Sequence, residues 1–382
     1  MIFLYRKIII LVLSFIVIIP AKNPMASISS GAVSAVLIET DTNTIIYEKN
    51  PHQKMPMAST TKIMTAICAI ENGNPNKVVE VDIRSVGVEG SSIYLKKGEK
   101  FTLKDLVYGL MLHSGNDAAV AIACEISGSS EEFAKLMNKT AKKIGAVNTH
   151  FENPNGLDQK EHYTTAYDLA IITSYAMKNP HFAEIVSTYK TTIKNSEGTE
   201  RLLKNHNKLL STYEGCTGVK TGFTKKSGRC LVTSAKRGNT ELIAVTLNDG
   251  NDWQDHTNML NYGFENTQNH CLLKKGDYLC SVAVNKGNKP TIKAVCQDDI
   301  VITTIKGKKT KFEIEYNISG TCNAPVEYGA QLGEIVIKAN GKIVAKTNAV
   351  SCEMVVTKEN IIKTNFVYLV KSWFEISLDN QH

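Results

Sequence analysis

The sequence predicts a mixed α/β (α+β) domain, followed by a small all-β domain and a terminal amphipathic helix. Three observations lead there. The chain of 382 residues exceeds what one ordinary core encloses. Helical periodicity fills residues 58–178, with strand-like runs before it and after Gly215. From residue 271 onward, short alternating segments separated by Lys-Gly, Ser-Gly and Asn-Gly turns replace both patterns. Composition agrees with a folded chain: 43% hydrophobic and 21% charged, with only 25 Gly and 9 Pro. A net charge of +7 is mildly basic and forms no dense stripe, so no nucleic-acid partner is expected.

The N-terminus comes first. Arg6 and Lys7 precede an apolar run over residues 8–19, broken only by Ser14 and closed by Pro20-Ala21. That order marks residues 1–26 as a secretory signal peptide, with cleavage near Ala21 or Ala26. An uncleaved anchor would give the same extracytoplasmic compartment. Residues 30–49 then read as two strands about the Asp41-Thr42 turn. Helices follow at 58–70, with Ile63, Met64, Ile67 and Ile70 on one face, and at 103–112, opened by Thr102 as N-cap with Asp105. The helix at 117–126 has residues small enough to be buried all round. Two more lie at 131–144 and 165–178, the latter ended by Asn179-Pro180. Strands at 231–235 and 241–247 and a helix at 255–262 complete the segment. Strands at both ends of a helical stretch suggest one sheet assembled from both ends of a domain spanning 28–270.

Residues 271–355, with TIKAVC, KFEIEYNI, GEIVIKA and KIVAKTNAV, read as an all-β sandwich serving as a platform. Helical period returns at 358–378. Ile362, Phe366, Leu369, Val370, Trp373 and Phe374 form one stripe, while Lys358, Lys363 and Lys371 balance Glu359, Glu375 and Asp379. Such a stripe suits contact with a membrane surface, without help from a basic face. The nine cysteines (Cys68, Cys124, Cys216, Cys230, Cys271, Cys280, Cys296, Cys322 and Cys352) are odd in number and contain no C-x-x-C pair. That argues against a disulfide framework and a zinc site, although one C-terminal bridge stays open. No H-E-x-x-H occurs, and neither metal nor other cofactor is expected.

The chemistry starts at Ser59-Thr60-Thr61-Lys62. A Ser at a helix start and a Lys at i+3 share one face, one turn apart. The hydroxyl needs a base within reach, and a Lys serves when burial and nearby positive charge lower its pKa. Alone the pattern is weak, since Ser187-Thr188-Tyr189-Lys190 repeats it. Its company is what distinguishes the first copy. His113-Ser114-Gly115-Asn116 follows at a joint between helices, and Lys220-Thr221-Gly222 at the start of a strand. This triplet of motifs is the signature of penicillin-binding proteins and serine β-lactamases.

The chain therefore resembles a low-molecular-weight penicillin-binding protein of the D-alanyl-D-alanine carboxypeptidase family. Further family blocks are ASTTKIMTA, GLMLHSGNDAAVA, NPNGLD, TTAYDLA, NHNKLL and GCTGVKTGFT, and the wording around Asp252 to Phe264 resembles the spore-former-type branch. The resemblance implies a serine β-lactamase/transpeptidase-like fold with an all-β C-terminal domain. It implies attack by Ser59 on the bond between two D-alanines of a peptidoglycan stem peptide, with Lys62 taking the proton and Ser114 relaying it to the leaving amine. Asn116 would bond the substrate's amide, and Lys220 and Thr221 would hold its carboxylate. Gly222 would let the substrate approach the strand edge, and the N–H groups of Ser59 and Phe223 would form the oxyanion hole. β-Lactams would be inhibitors.

Several residues depart from the pattern or invite a plainer reading. Phe223 stands where some members carry a His, and the stretch from Asn248 to Trp253 lacks a carboxylate-binding Arg that some members have; Arg229 is a substitute or else a solvated strand residue. Asp168 is expected as a helix anchor, His206 as structural, and Cys124 and Cys216 as buried thiols. The alternatives are a class A-like β-lactamase, for which Glu152 in ENPNG lacks the Asn of E-x-x-L-N, and a non-enzymatic penicillin sensor. Endopeptidase action is a variation on the same chemistry.

Overall fold

The computed structural model describes residues 8–17 and 28–358. Most of the terminal helix expected at 358–378 lies outside the described residues, as do residues 1–7 and 18–27 of the expected leader. The described chain forms two compact units, one up to residue 268 and one from 269 onward that includes residues 8–17.

The first unit carries β1 (Ser34–Glu39), β2 (Thr44–Lys49), α1 (Lys62–Asn72), α2 (Leu103–Leu112), α3 (Asn116–Ser127), α4 (Ser130–Ile144), α5 (Ala166–Met177) and α6 (Pro180–Ser187). After them come β3 (Cys216–Thr224), β4 (Gly228–Arg237), β5 (Thr240–Leu247) and α7 (Asp252–Glu265). The five strands make an antiparallel sheet in the order β2-β1-β5-β4-β3. β1 pairs with β5 from Glu39↔Leu242 to Ser34↔Leu247. Opposite ends of the segment therefore meet at the sheet centre, as the periodicity predicted. β1 is buried along its whole length because both sheet faces are covered. Val36, Ile38, Ile243 and Val245 enter the main helical core, while Leu37 and Leu242 meet α7 at Gly263, where a methyl group would collide with both. β3 lies at the sheet edge, so one side of the Lys220-Thr221-Gly222 backbone has no neighbouring strand among the described residues.

Two local expectations change. Asn179-Pro180 ends α5 but also starts α6: the Asn179 side chain accepts from the N–H groups of His181 and Phe182, and Pro180 occupies the first helical position. A hairpin of Lys190–Lys194 and Glu200–Lys204 follows, hidden in the sequence by its polar, half-exposed composition. The second S-x-x-K falls across this junction. Ser187 ends α6 with its hydroxyl donating to Glu184 O, whereas Lys190 opens a strand. That copy forms no pair.

The second unit is all β, as expected. Its larger sheet runs Ile8–Val17, Thr310–Ser319, Gln331–Ala339, Lys342–Ser351, Thr291–Cys296, Tyr278–Asn285, Thr321–Asn323. Ile300–Ile305 pairs separately with Thr267–Leu273. Inward positions such as Ile292, Phe312, Ile314, Ile335, Ile337 and Val355 make one apolar core. Within the expected leader, Ile8–Val17 is extended and pairs antiparallel with Thr310–Ser319. A run so rich in Ile and Val has the propensity for a strand. All nine cysteines are free, with Cys124 and Cys216 only partly buried rather than enclosed.

Candidate active site

Ser59 sits on a 3-10 turn, Ala58–Thr61, that leads into α1. Ala58 has φ +47°, a left-handed conformation that L-residues seldom adopt. The surroundings hold it there. Gly156, at φ +90°, presses so closely that a Cβ would lie 2.0 Å from Ala58 O. Asn153 Oδ1 accepts from Gly156 N at 2.7 Å, and Thr65 Oγ1 donates to Pro154 O at 2.6 Å, which ties this loop to α1. On the other side, His162 Nδ1 accepts from Glu152 N at 3.0 Å, so its Nε2 carries the proton and donates to Thr61 Oγ1 at 2.8 Å. Burial pushes His162 down to about 4, which keeps that tautomer neutral.

Lys62 is fully buried, and its Nζ lies 2.9 Å from Ser59 Oγ, 2.6 Å from Asn116 Oδ1 and 2.6 Å from Asn155 O. Asn116 is oriented unambiguously because its Nδ2 donates to Glu89 O, an atom that only accepts. The consequence is specific. Asn116 Oδ1 and Asn155 O can receive a hydrogen but not give one. A neutral Lys62 therefore keeps two N–H bonds to them and turns its lone pair toward the Ser59 hydroxyl. Neutrality is favoured: burial first, then the charge of Lys220, lowers the Lys62 pKa well below the ordinary amine value, against a raising effect of Asp117. Lys220, 1% exposed on β3, is lowered by burial to about 7, and its Nζ donates to Thr221 O at 2.9 Å.

Ser114 lies between α2 and α3 at φ +62° and is nearly buried. Asp117, in the first turn of α3, accepts from Ser92 Oγ at 2.6 Å, Ile93 N at 3.1 Å and Leu95 N at 3.0 Å. It thereby gathers residues 91–95 beside Ser114, and Asn116 N donates to Ser91 O. Gly222 faces the nucleophile: a Cβ there would stand 3.1 Å from both Ser59 N and Thr60 N. The close approach of β3 to the nucleophile turn explains the glycine.

A cleft of about 540 Å3 opens over these groups, lined by Ser59, Ser114, Thr221, Gly222 and Phe223. Lys62, Asn116 and Lys220 lie behind that lining. Asn116, expected to bond the substrate's amide, has both amide atoms engaged within the protein. Arg229 lines the cleft but is no free cation: Nε and Nη2 donate to Asp252 at 3.1 and 2.6 Å, and the guanidinium lies 5.7 Å from the Trp253 ring. His206 also lines the cleft rather than the core, held neutral near 4 by burial, Lys220 and His113. Asp168 accepts from Asn148 N and Thr149 Oγ1, which fits a helix anchor. Glu152 accepts from Glu161 N and is not part of the cleft lining. Among the described residues, no group of three or more His, Cys, Asp or Glu is arranged to hold a metal.

NPNGLD carries a signal of its own role: a Gly beside two Asn marks a tight turn, and this one supplies Asn155 O and the Gly156 contact. His162, Asp117 and Trp253 gave no such signal.

The D-alanyl-D-alanine carboxypeptidase family matches residues 21–251, and the penicillin-binding protein 5 C-terminal domain matches residues 268–360. The chain belongs to the D-alanyl-D-alanine carboxypeptidase family. D-alanyl-D-alanine carboxypeptidase DacF of Bacillus subtilis is 36% identical over 359 residues, covering 91% of this chain and 90% of that protein. The crystal structure of DacD from Francisella tularensis superposes with a TM-score of 0.61 at 26% identity, covering 89% of this chain and 98% of that one. The Streptomyces K15 DD-transpeptidase superposes at 0.58 and 34% identity, over 64% of this chain and all of that one. The family assignment agrees with the resemblance carried by the three motifs, as does the α/β architecture with its β-rich C-terminal domain.

Proposed function

We propose that this serine D-Ala-D-Ala carboxypeptidase works through an acyl-enzyme on Ser59, with Lys62 as general base. The Ser59 hydroxyl proton passes to the Lys62 lone pair as Oγ bonds to the carbonyl carbon between the two D-alanines. The N–H groups of Ser59 and Phe223 take the oxyanion. Ser114 relays a proton to the leaving amine, D-Ala departs, and water then cleaves the ester to regenerate Ser59. Lys220 and Thr221 hold the terminal carboxylate, and the free edge of β3 receives the substrate backbone, with Gly222 allowing the approach. Asn116 fixes Lys62 through Oδ1 and bonds the substrate's amide with the capacity its side chain keeps, a second Nδ2 hydrogen and a second Oδ1 lone pair. β-Lactams acylate the same hydroxyl. The single observation that carries this assignment is the buried Lys62 Nζ, 2.9 Å from Ser59 Oγ with its other two partners unable to donate.

Incubating the whole protein with a fluorescent penicillin and with a peptide ending in D-Ala-D-Ala tests it. Ser59→Ala abolishes labelling and D-Ala release, and Ser187→Ala preserves both. Labelling that survives Ser59→Ala overturns the assignment.

Residues 28–270 carry the chemistry in this reading, residues 271–355 act as a platform, and residues 1–26 direct export. The protein works at the outer face of the cytoplasmic membrane, where residues 358–378 lie along the lipid surface. Among the described residues, no helix is long and apolar enough to cross a membrane. Vesicle flotation of the protein with and without residues 358–382 decides the last point: equal flotation rejects it.

A further inference from the structure

Exposure alternates along the chain from Leu203 to Lys208. Leu203, Asn205 and Asn207 are buried, whereas Lys204, His206 and Lys208 are exposed. Hydrogen bonds fix that alternation. Asn205 Nδ2 donates to Val186 O at 3.2 Å and Thr188 O at 3.3 Å, and its Oδ1 accepts from Asn207 N at 2.9 Å. Asn207 Nδ2 donates at 2.7 Å to Gly218 O on β3, the strand that carries Lys220 and Thr221. With a buried, bonded asparagine on each side, His206 turns outward, and it turns into the catalytic cleft, which it lines together with Ser114 and Thr221. Lys208, next on the same face, holds its Nζ 6.0 Å from the ring of Trp253, which also lines the cleft.

The charges at this wall favour an anion. Asp252 is the single acid of the lining among the described residues, and Arg229 occupies both of its oxygens. Lys220 stands behind Thr221, and its charge reaches the imidazole: burial first, then Lys220 and His113, hold His206 near 4. At neutral pH the ring is therefore uncharged, with one N–H to give. His206 makes no hydrogen bond to another described residue, so that donor is available. An outward N–H beside a lysine, with no free acid opposite, suits a carboxylate oxygen.

We propose that the imidazole N–H of His206 binds the terminal carboxylate of the substrate, beside Lys220 and Thr221. The ligand in this proposal rests on the carboxypeptidase reading above; the placement rests on the pinned asparagines, the cleft lining and the spent Asp252. A carboxylate offers two oxygens, so one goes to the β3 side and the other to the imidazole. The NHNKLL segment thus helps the chain to select peptides that end in a free carboxyl group.

The test compares two substrates with the full-length protein. One is diacetyl-L-Lys-D-Ala-D-Ala; the other is the methyl thioester of diacetyl-L-Lys-D-Ala, which gives Ser59 the same acyl group but has no carboxylate. His206→Ala is expected to raise KM for the peptide by roughly tenfold or more, with kcat changed less than about twofold. Thioester turnover should stay unchanged, which also shows that the variant is folded. His206→Gln and His206→Asn keep an N–H near the place of Nε2 and Nδ1, and one of them should restore the peptide KM. An unchanged peptide KM in His206→Ala overturns the proposal, as does an equal loss on both substrates or a failure of both conservative variants to rescue. If the unmodified protein turns over neither substrate, the carboxypeptidase reading falls and this proposal with it; if it turns over both, the outcome bears on His206 alone.

Discussion

The two units of the chain solve the problem of burial in opposite ways. In the first, charged and imidazole side chains go inside: Glu39, Lys62, Asp117, Asp168, Lys220, Asp252, Asp255 and His256 are all buried. In the second, the buried polar residues among those described are hydroxyls only, Thr303, Thr304, Thr347 and Ser351, around an apolar core. Burying a charge is costly unless partners hold it. The first unit meets that cost with dedicated networks, as where Asp255 takes hydrogen bonds from Ser30 and Gly31 and His256 from or to Thr233 and Thr246. Perturbed acids and bases in the interior are what chemistry requires. A unit whose described residues include no buried charged side chain is built to stand still.

The sharpest break of this contrast is at the lysine. Replacing Lys62 with Met keeps the volume and removes the base, and penicillin acylation of Ser59 falls by roughly 10³-fold, within the range that general bases contribute. Stopped-flow labelling measures it, and a loss below tenfold would assign the base elsewhere. Gly156→Ala comes next. Its methyl group meets Ala58 O, the nucleophile turn shifts, and acylation drops by about 10²-fold, the scale expected for a misplacement near 1 Å; a crystal structure with an unmoved Ser59 would reject the cause.

A third expectation concerns pH. A cation lowered to about 7 is charged below that pH and neutral above it, so Lys220 loses its hold on the substrate carboxylate as pH rises. KM is expected to climb by up to about tenfold per pH unit above 7, while kcat does not fall, because rising pH only favours the neutral form of Lys62. A KM that is flat from pH 6 to 9 contradicts it. The smallest effect on activity belongs to the other unit. Ile335→Ala empties a fully buried site in the β core and destabilises that unit by about 2–5 kcal/mol, with penicillin acylation changed less than about twofold. Thermal unfolding beside labelling checks both halves.

Much of this was legible in sequence because it is local. Period and a cap gave the helix at Thr102, whose side chain accepts from Asp105 N as expected; the helix at Thr165 followed from period alone, and its cap, Thr165 accepting from Asp168 N, is the structure's addition. One sheet assembled from both ends of the segment also followed, from strands flanking a helical stretch; that β1 pairs with β5 within it did not. What stayed hidden depends on three-dimensional proximity. No spacing rule connects Asn155 O to Lys62 across the chain, and nothing at Arg229 announces that Asp252 will take its charge. Nor does any spacing rule show that the network around Asn116 brings its Oδ1 to Lys62. The hairpin after α6 was missed because its strands bury few side chains, and the alternation they show is mostly polar.

The buried lysines have one more consequence. Two amines that have left water make the empty catalytic unit less stable than its packing alone would allow. Any anion that settles beside them relieves part of that penalty, so ligand affinity and heat resistance rise together. By the same logic, a Lys220→Met protein should melt at a higher temperature than the natural one while binding its substrate poorly. Selection has kept the less durable version, because the strain is where the recognition comes from.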